Sequence, residues 1–218
     1  MPARNDTTEA YELRMDAVLG IRTTGRDESH ATQDDNPYEP TPYAVLERLA
    51  NSGLVGKRNL LVDYGCGKGR VGLYLAYQAR CRSVGIERDP LLLEAARRNR
   101  AMARFLQGPY TAERVSFELA DAAEFEPPEG ADRFYLFNPF SAEVFGRALA
   151  RIQSSLGNAP REILVLLYYP DEACVELLDR TPWLAADPDA AIDCRDLFGS
   201  DDPRETVLVY RAGCSGAA

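Results

Sequence analysis

Only one histidine, His30, occurs in 218 residues. Most hydrolase triads take their base from histidine, and most catalytic zinc sites take imidazole ligands. Both classes are therefore disfavoured, and no metal is expected to be needed. His30 itself lies in a polar stretch and reads as a solvated side chain, with a general base as the alternative. The five cysteines, at 66, 81, 174, 194 and 214, are odd in number and include no CxxC pair. That argues against a disulfide framework or a zinc cluster, and for the reduced thiols of a cytosol. Long apolar runs are missing too. No stretch approaches membrane-spanning length, and the polar segment Met1 to Ala10 lacks the apolar core of a signal peptide. Internal repeats and low-complexity tracts are absent. Positive charge is scarce: 25 Lys and Arg face 34 Asp and Glu, for a net charge of -9. Such a surface repels phosphate backbones, which disfavours nonspecific nucleic-acid binding but leaves room for a locally basic groove. A cytoplasmic protein without a membrane partner is the expectation.

What is present is ordinary globular material, with 45% hydrophobic and 27% charged residues. The length suits one domain with an N-terminal cap. Tyr11, Met15, Val18 and Leu19 fall at helical spacing, and Gly20 ends the run. Residues 20–40 read as loop. Thr41 then reads as an N-cap with Pro42 at the first helical position, and Val45, Leu46 and Leu49 form an apolar face. The expected division is a helical cap and lead-in loop over residues 1–40 and the main domain over 41–218. From residue 59 strands and helices alternate. Apolar runs at Leu60–Val62, Val84–Ile86, Val115–Leu119, Phe134–Phe137 and Ile163–Tyr169 are mostly continuous, as in parallel strands buried on both faces. Helical stretches fall at about 70–80, 91–105, 142–156 and 172–179, with Ser141 and Asp171 as caps for the last two. Ala191–Cys194 and Thr206–Tyr210 lack a helix-length connector and should pair antiparallel. The pattern predicts a Rossmann-like α/β sheet of seven strands, mostly parallel with an antiparallel last strand, and helices on both faces.

The first strand runs into Asp63-Tyr64-Gly65-Cys66-Gly67-Lys68-Gly69-Arg70, and a helix follows. Glycines there let the backbone turn sharply against a ligand, and free N–H groups at a helix start favour a negatively charged group. The next strand ends in Glu87, 22 residues after Gly65, where a carboxylate can accept two ribose hydroxyls. These residues alone say only that a nucleoside-containing cofactor binds. A GxGxxG reading at Gly67, Gly69 and Gly72 would point to a nicotinamide dinucleotide. Gly72, however, falls one turn into the helix, where close packing is its expected role. Cys66 within the loop reads as a small packing residue.

Asp63-x-Gly65-x-Gly67-x-Gly69 resembles motif I of the class I S-adenosylmethionine-dependent methyltransferases. The resemblance implies a loop that wraps the methionine part of S-adenosyl-L-methionine, with Asp63 helping to hold the ammonium. Glu87 matches the family's ribose-binding acid. Leu119-Ala120-Asp121-Ala122 looks like the next motif, implying that Asp121 binds the adenine amino group and the Ala122 backbone reaches the ring. Asn138-Pro139-Phe140, closing the fourth strand, sits where the family places its catalytic-face motif. The likeness covers about residues 41–211. The rivals are an NAD(P)-dependent oxidoreductase and a noncatalytic module that binds a cofactor or partner on the same fold.

Asn138-Pro139-Phe140 also resembles the Asn-Pro-Pro-aromatic motif of amine methyltransferases. An amine attacking a sulfonium methyl must be held in line, and an asparagine carbonyl with a backbone carbonyl can accept its hydrogens. Here the second proline is missing and Phe140 comes one position early, so a plain strand-ending turn stands as the alternative. Tyr38, Thr41 and Tyr43 belong to a proline-rich lead-in, Asn36 to Tyr43, that resembles a segment lying over the cofactor pocket in several bacterial methyltransferases. It reads either as a gate and acceptor wall or as a rigid connector. Tyr168, Tyr169 and Pro170 end the fifth strand and either complete an aromatic acceptor pocket or cap the core. Arg97, Arg100 and Arg104 form a basic stripe, read as a solvated helix face rather than an RNA contact. The methyl acceptor, whether a small molecule, a protein side chain or an RNA base, is left open, with an amine favoured.

Overall fold

The computed structural model of the chain describes residues 6–27, 38–107, 109–137 and 140–213. His30, Asn36, Pro37, Asn138, Pro139 and Cys214 lie outside the described residues.

Five strands build the parallel part of one sheet: β1 (Leu60–Tyr64), β2 (Arg82–Glu87), β3 (Val115–Leu119), β4 (Arg133–Phe137) and β5 (Ile163–Tyr168). Helices α3 (Arg70–Gln78), α4 (Pro90–Gln107) and α6 (Ala142–Asn158) supply crossovers, with a short α5 (Pro109–Ala112) after α4. The helix α7 (Glu172–Asp179) follows β5. Two-residue strands β6 (Ala185–Ala186) and β7 (Ile192–Asp193) and a one-turn α8 (Arg195–Phe198) lead to β8 (Thr206–Ala212). The order is β3-β2-β1-β4-β5-β8-β6, with β7 also on β8. β8 runs antiparallel to β5 from Ile163↔Ala212 to Tyr168↔Val207. Since β5 occupies one edge of β8, β6 and β7 share the other, as one edge strand broken by a turn at Pro188–Ala190. The sheet is thus seven strands wide. The antiparallel strand β8, inserted between β5 and the last edge strand, departs from the 3-2-1-4-5-6 order of the dinucleotide fold.

The alternation of strand residues explains two cores, one on each face. Leu61, Tyr135, Leu164, Leu166 and Val209 point to one face and pack against α3, α4 and α2 (Tyr43–Asn51). Val62, Phe134, Leu136, Val165 and Leu167 point to the other and pack against α6 and α7. Strands β1, β4 and β5 are covered on both sides, which is why their sequences read as continuous apolar runs. β3, at the sheet edge, buries Val115 and Phe117 but exposes Ser116, Glu118 and Leu119.

The caps expected at Ser141 and Asp171 are formed: Ser141 Oγ accepts from Val144 N and Asp171 Oδ1 from Cys174 N. Thr41 is corrected. Helix α2 starts at Tyr43 with Pro42 as its cap residue, and the Thr41 hydroxyl bonds instead to Tyr135 Oη at 3.0 Å. The first N–H of α2 is satisfied from outside, by Glu12 Oε1 at 2.9 Å. Glu12 belongs to α1 (Asp6–Leu19), which differs from its expected apolar face. Val18 is exposed, while Glu12 and Asp16, four residues apart on one side, are buried.

Candidate active site

Parallel strands end together, so the loops after β1, β2, β3 and β4 meet along one sheet edge, where a cleft is expected. A cavity of about 470 Å³ lies there, within the size range of small-molecule sites. Asp63, Gly65 and Gly67 from the first loop line it, with Glu87 from the second, Asp121 and Ala122 from the third, and Phe140 after β4. Tyr38 and Thr41 form part of one wall, and Tyr169 closes the far end. Two expected members do not reach it. Tyr43 is fully buried behind the wall, its hydroxyl donating to Asp16 at 2.6 Å. Gly69 caps α3 in a left-handed conformation, and a side chain there would strike the Phe117 ring beneath rather than the cavity.

Asp63 is the penultimate residue of β1 and sits in register between Gly85 and Tyr135 of the flanking strands. It is 2% exposed, and its Oδ2 has no hydrogen-bond partner. Burial first, then the neighbouring Glu87, pushes its carboxyl up to about 8. Glu87 is buried too, but its oxygens are occupied: Oε2 accepts from Gly67 N and Oε1 from Asp89 N, each at 2.9 Å. Burial raises its carboxyl while these backbone donors pull it down. Each oxygen keeps a further lone pair for a ligand hydroxyl. Asp121 is exposed, and its Oδ1 holds the turn by accepting from Ala123 N at 2.8 Å.

The glycine loop is less open to an anion than its sequence suggests. Gly67 N is taken by Glu87, Gly69 N by Cys66 O and Cys66 N by Ile86 O. Gly67 has φ +53, and a Cβ built on it would lie 2.5 Å from the Tyr38 ring. That ring is fixed by its hydroxyl, which donates to Thr23 O at 2.7 Å, and Lys68 Nζ sits 4.2 Å from its centroid. The glycine therefore makes room for a wall of the cavity. Gly72 packs α3 against Ser83, with a built Cβ 2.8 Å from Ser83 Oγ. Cys66 fills space beside Gly85, and its thiol is held well above its ordinary value by burial.

At the other end the lining is aromatic. Phe137 lies edge-on to Tyr169 at 6.4 Å, and Phe140 edge-on to Tyr64 at 6.5 Å. Tyr169 adopts φ 50, its hydroxyl donating to Asp202 at 3.0 Å and Arg204 stacking over its ring. Tyr135, Phe137 and Tyr64 were not singled out in the sequence, because strand-interior aromatics look like core. Of the basic stripe, Arg97 and Arg104 are exposed, as a solvated helix face requires, with Arg104 paired to Glu113, while the half-buried Arg100 donates to Ala112 O.

No protein-family model matches the sequence, and no curated protein matches it. Solved structures do resemble it. An RNA methyltransferase from Salinibacter ruber, in complex with S-adenosyl-L-homocysteine, aligns over 83% of this chain and 96% of its own, with a TM-score of 0.52 and 23% identity. A TehB-like SAM-dependent methyltransferase from Corynebacterium glutamicum aligns over 78% and 88%, with a TM-score of 0.52 and 18% identity. A precorrin-6y C5,15-methyltransferase from Geobacter metallireducens aligns over 81% and 90%, with a TM-score of 0.52 and 16% identity. The fold is that of the S-adenosylmethionine-dependent methyltransferases. In that methyltransferase fold the cavity occupies the sheet edge where the strands β1 to β4 end. Among the described residues no helix is long and apolar enough to cross a membrane.

Proposed function

We propose that this chain is an S-adenosyl-L-methionine-dependent methyltransferase. The observation that carries the reading is Asp63, buried at the cavity with one oxygen unmatched and Glu87 beside it. A buried carboxyl without a donor is costly unless a ligand supplies one. S-adenosylmethionine brings an ammonium and a sulfonium. A nicotinamide dinucleotide brings a pyrophosphate, which would need free N–H groups at the glycine loop, and those of Cys66, Gly67 and Gly69 are already taken. Asp63 and Glu87 are thus suited to the ammonium and the ribose hydroxyls, and Asp121 and the Ala122 backbone to the adenine. When bound, the cofactor supplies an electrophilic methyl group.

The aromatic end, with Phe137, Phe140 and Tyr169, excludes water and offers ring faces to a planar acceptor. We favour an amine. The support is the Asn138-Pro139-Phe140 sequence, whose Asn138 carbonyl would accept the hydrogens of the attacking nitrogen. The acceptor could be a small molecule, a protein side chain or an RNA base. Calorimetry with S-adenosylmethionine and with NAD tests the cofactor, and binding of NAD alone would reverse the reading. Labelled S-adenosylmethionine turned over with cell extract tests catalysis. Binding without formation of S-adenosylhomocysteine would make the chain a noncatalytic module.

A further inference from the structure

A second buried polar cluster stands against the cavity, with no part in the ligand contacts proposed above. Its centre is Arg70, the first residue of α3, which is 2% exposed. Its guanidinium is satisfied from several directions. Nε donates to Thr23 Oγ1 at 2.7 Å and Nη2 to Thr24 Oγ1 at 3.0 Å. Nη1 donates to the Thr41 carbonyl at 3.0 Å and to the Glu12 carboxylate. Its Cζ lies over the Tyr43 ring, 4.0 Å from the centroid. Asp16 is the second carboxylate, 3.7 Å from Nη2. The threonine hydroxyls act as relays: each accepts from Arg70 and donates to Asp16. Asp16 also accepts from the backbone of Thr23 and Thr24 and from Tyr43 Oη. Glu12 accepts from Tyr43 N.

One side chain therefore fastens three stretches of the N-terminal region to the helix that starts at the glycine loop: α1, residues 23–24 and residues 41–43. Those stretches carry a cavity wall. Tyr38 lines the cavity and hangs from Thr23 O, and Thr41 lines it and bonds to Tyr135. Apolar side chains would join the same elements without the desolvation cost of a buried ion pair. What a guanidinium adds is direction, since its planar fork fixes every partner at once. Such a cluster holds one arrangement of the wall and opens as a unit when the fork is lost.

We propose that Arg70 is a positioning residue: it latches the stretches 12–24 and 38–43 over the cavity and so sets how long a ligand stays there. The proposal rests on the cavity being the ligand site of the reading above. It also makes a claim about the wall that needs no ligand to test.

The experiment compares the full chain with Arg70→Lys, which keeps charge but loses the fork, and with Thr23→Val, which removes a single relay hydroxyl. Hydrogen exchange is followed in the absence of ligand. The amides of Thr23, Thr24, Tyr38 and Tyr43 should lose protection in both variants, while those of β1, β4 and β5 keep theirs. Dissociation of S-adenosylhomocysteine, read by stopped flow, should be at least about tenfold faster in Arg70→Lys, with a smaller change in association. Exchange that rises equally across the whole sheet would reduce Arg70 to a general support of the fold and overturn the proposal. Faster exchange in the wall with unchanged dissociation would overturn it as well. If the wild-type protein binds no S-adenosylhomocysteine, the functional reading fails, and the latch is then judged by thiol labelling. Cys66 lines the cavity at 7% exposure and should label faster in both variants, while Cys81, Cys174 and Cys194, buried elsewhere, should not. Unchanged Cys66 labelling would overturn the latch independently of the cofactor.

Discussion

A carboxyl that stays buried and unmatched is the feature that most needs a reason. Asp63 is held up to about 8, far above an ordinary aspartate, so the folded state keeps a proton that the unfolded chain releases. The sign follows. Its contribution to stability is full below the unfolded pKa of about 4 and is lost as the pH rises toward about 8. Asp63→Asn should therefore stabilise the chain at alkaline pH, by on the order of a few kcal/mol at most, and do little below about pH 4. Thermal melts across that range check it. Binding of a cationic ligand should reverse the penalty, because an ammonium beside Asp63 favours the carboxylate. S-adenosylhomocysteine binding near pH 7 should release protons, measured by calorimetry in buffers of different ionisation enthalpy. No proton release would place the ammonium elsewhere. Asn138 carries the prediction about chemistry. Asn138→Ala should leave cofactor affinity nearly unchanged and slow methyl transfer by about a hundredfold, the usual scale of an orientation error. Single-turnover kinetics with the captured acceptor checks this, and full-speed transfer would remove the case for an amine.

At the scale of elements, the glycine loop and the N-terminal wall are one construction. Gly67 is left-handed, and a side chain there would run into a Tyr38 ring that is anchored at its far end. Gly67→Val should therefore push the wall outward as well as strain the loop, lowering S-adenosylhomocysteine affinity by at least about tenfold in a chain that still folds. Calorimetry beside a circular dichroism melt separates the two effects. Acid should loosen the same wall from the other side. Burial raises the Asp16 carboxyl, but the bonds from Thr23 and Tyr43 and the charge of Arg70 together bring it below the usual range. Its contribution is present above the unfolded pKa and is lost as the pH falls through the lower folded value. Asp16→Asn should thus destabilise at neutral pH and match the wild type in strong acid, as read by urea titrations at both pH values. The strands, the two serine and aspartate caps and the glycine loop were legible in the sequence, because periodicity and turn chemistry are local signals. The Arg70 cluster was not. Glu12 and Asp16 look like solvent-facing charges on a helix, and their partner lies 58 and 54 positions away in sequence. The inward turn of Tyr43 was not legible either, since a tyrosine in a lead-in segment carries no mark of whether it faces a pocket or packs on the core.

For the whole molecule, the order β3-β2-β1-β4-β5-β8-β6 gathers Asp63, Glu87, Asp121 and Phe140 at one edge from segments 77 residues apart. The strand count was legible apart from the broken edge strand, whose two-residue pieces are too short for periodicity to show. The central claim is that this edge is a site for S-adenosylmethionine. Isothermal titration of the full chain with S-adenosylmethionine and, separately, NAD tests it most directly. The account predicts one saturable site for S-adenosylmethionine, weakened in Asp63→Asn and in Glu87→Ala, and no heat with NAD. Saturable NAD binding, or S-adenosylmethionine affinity unchanged in both variants, would contradict it.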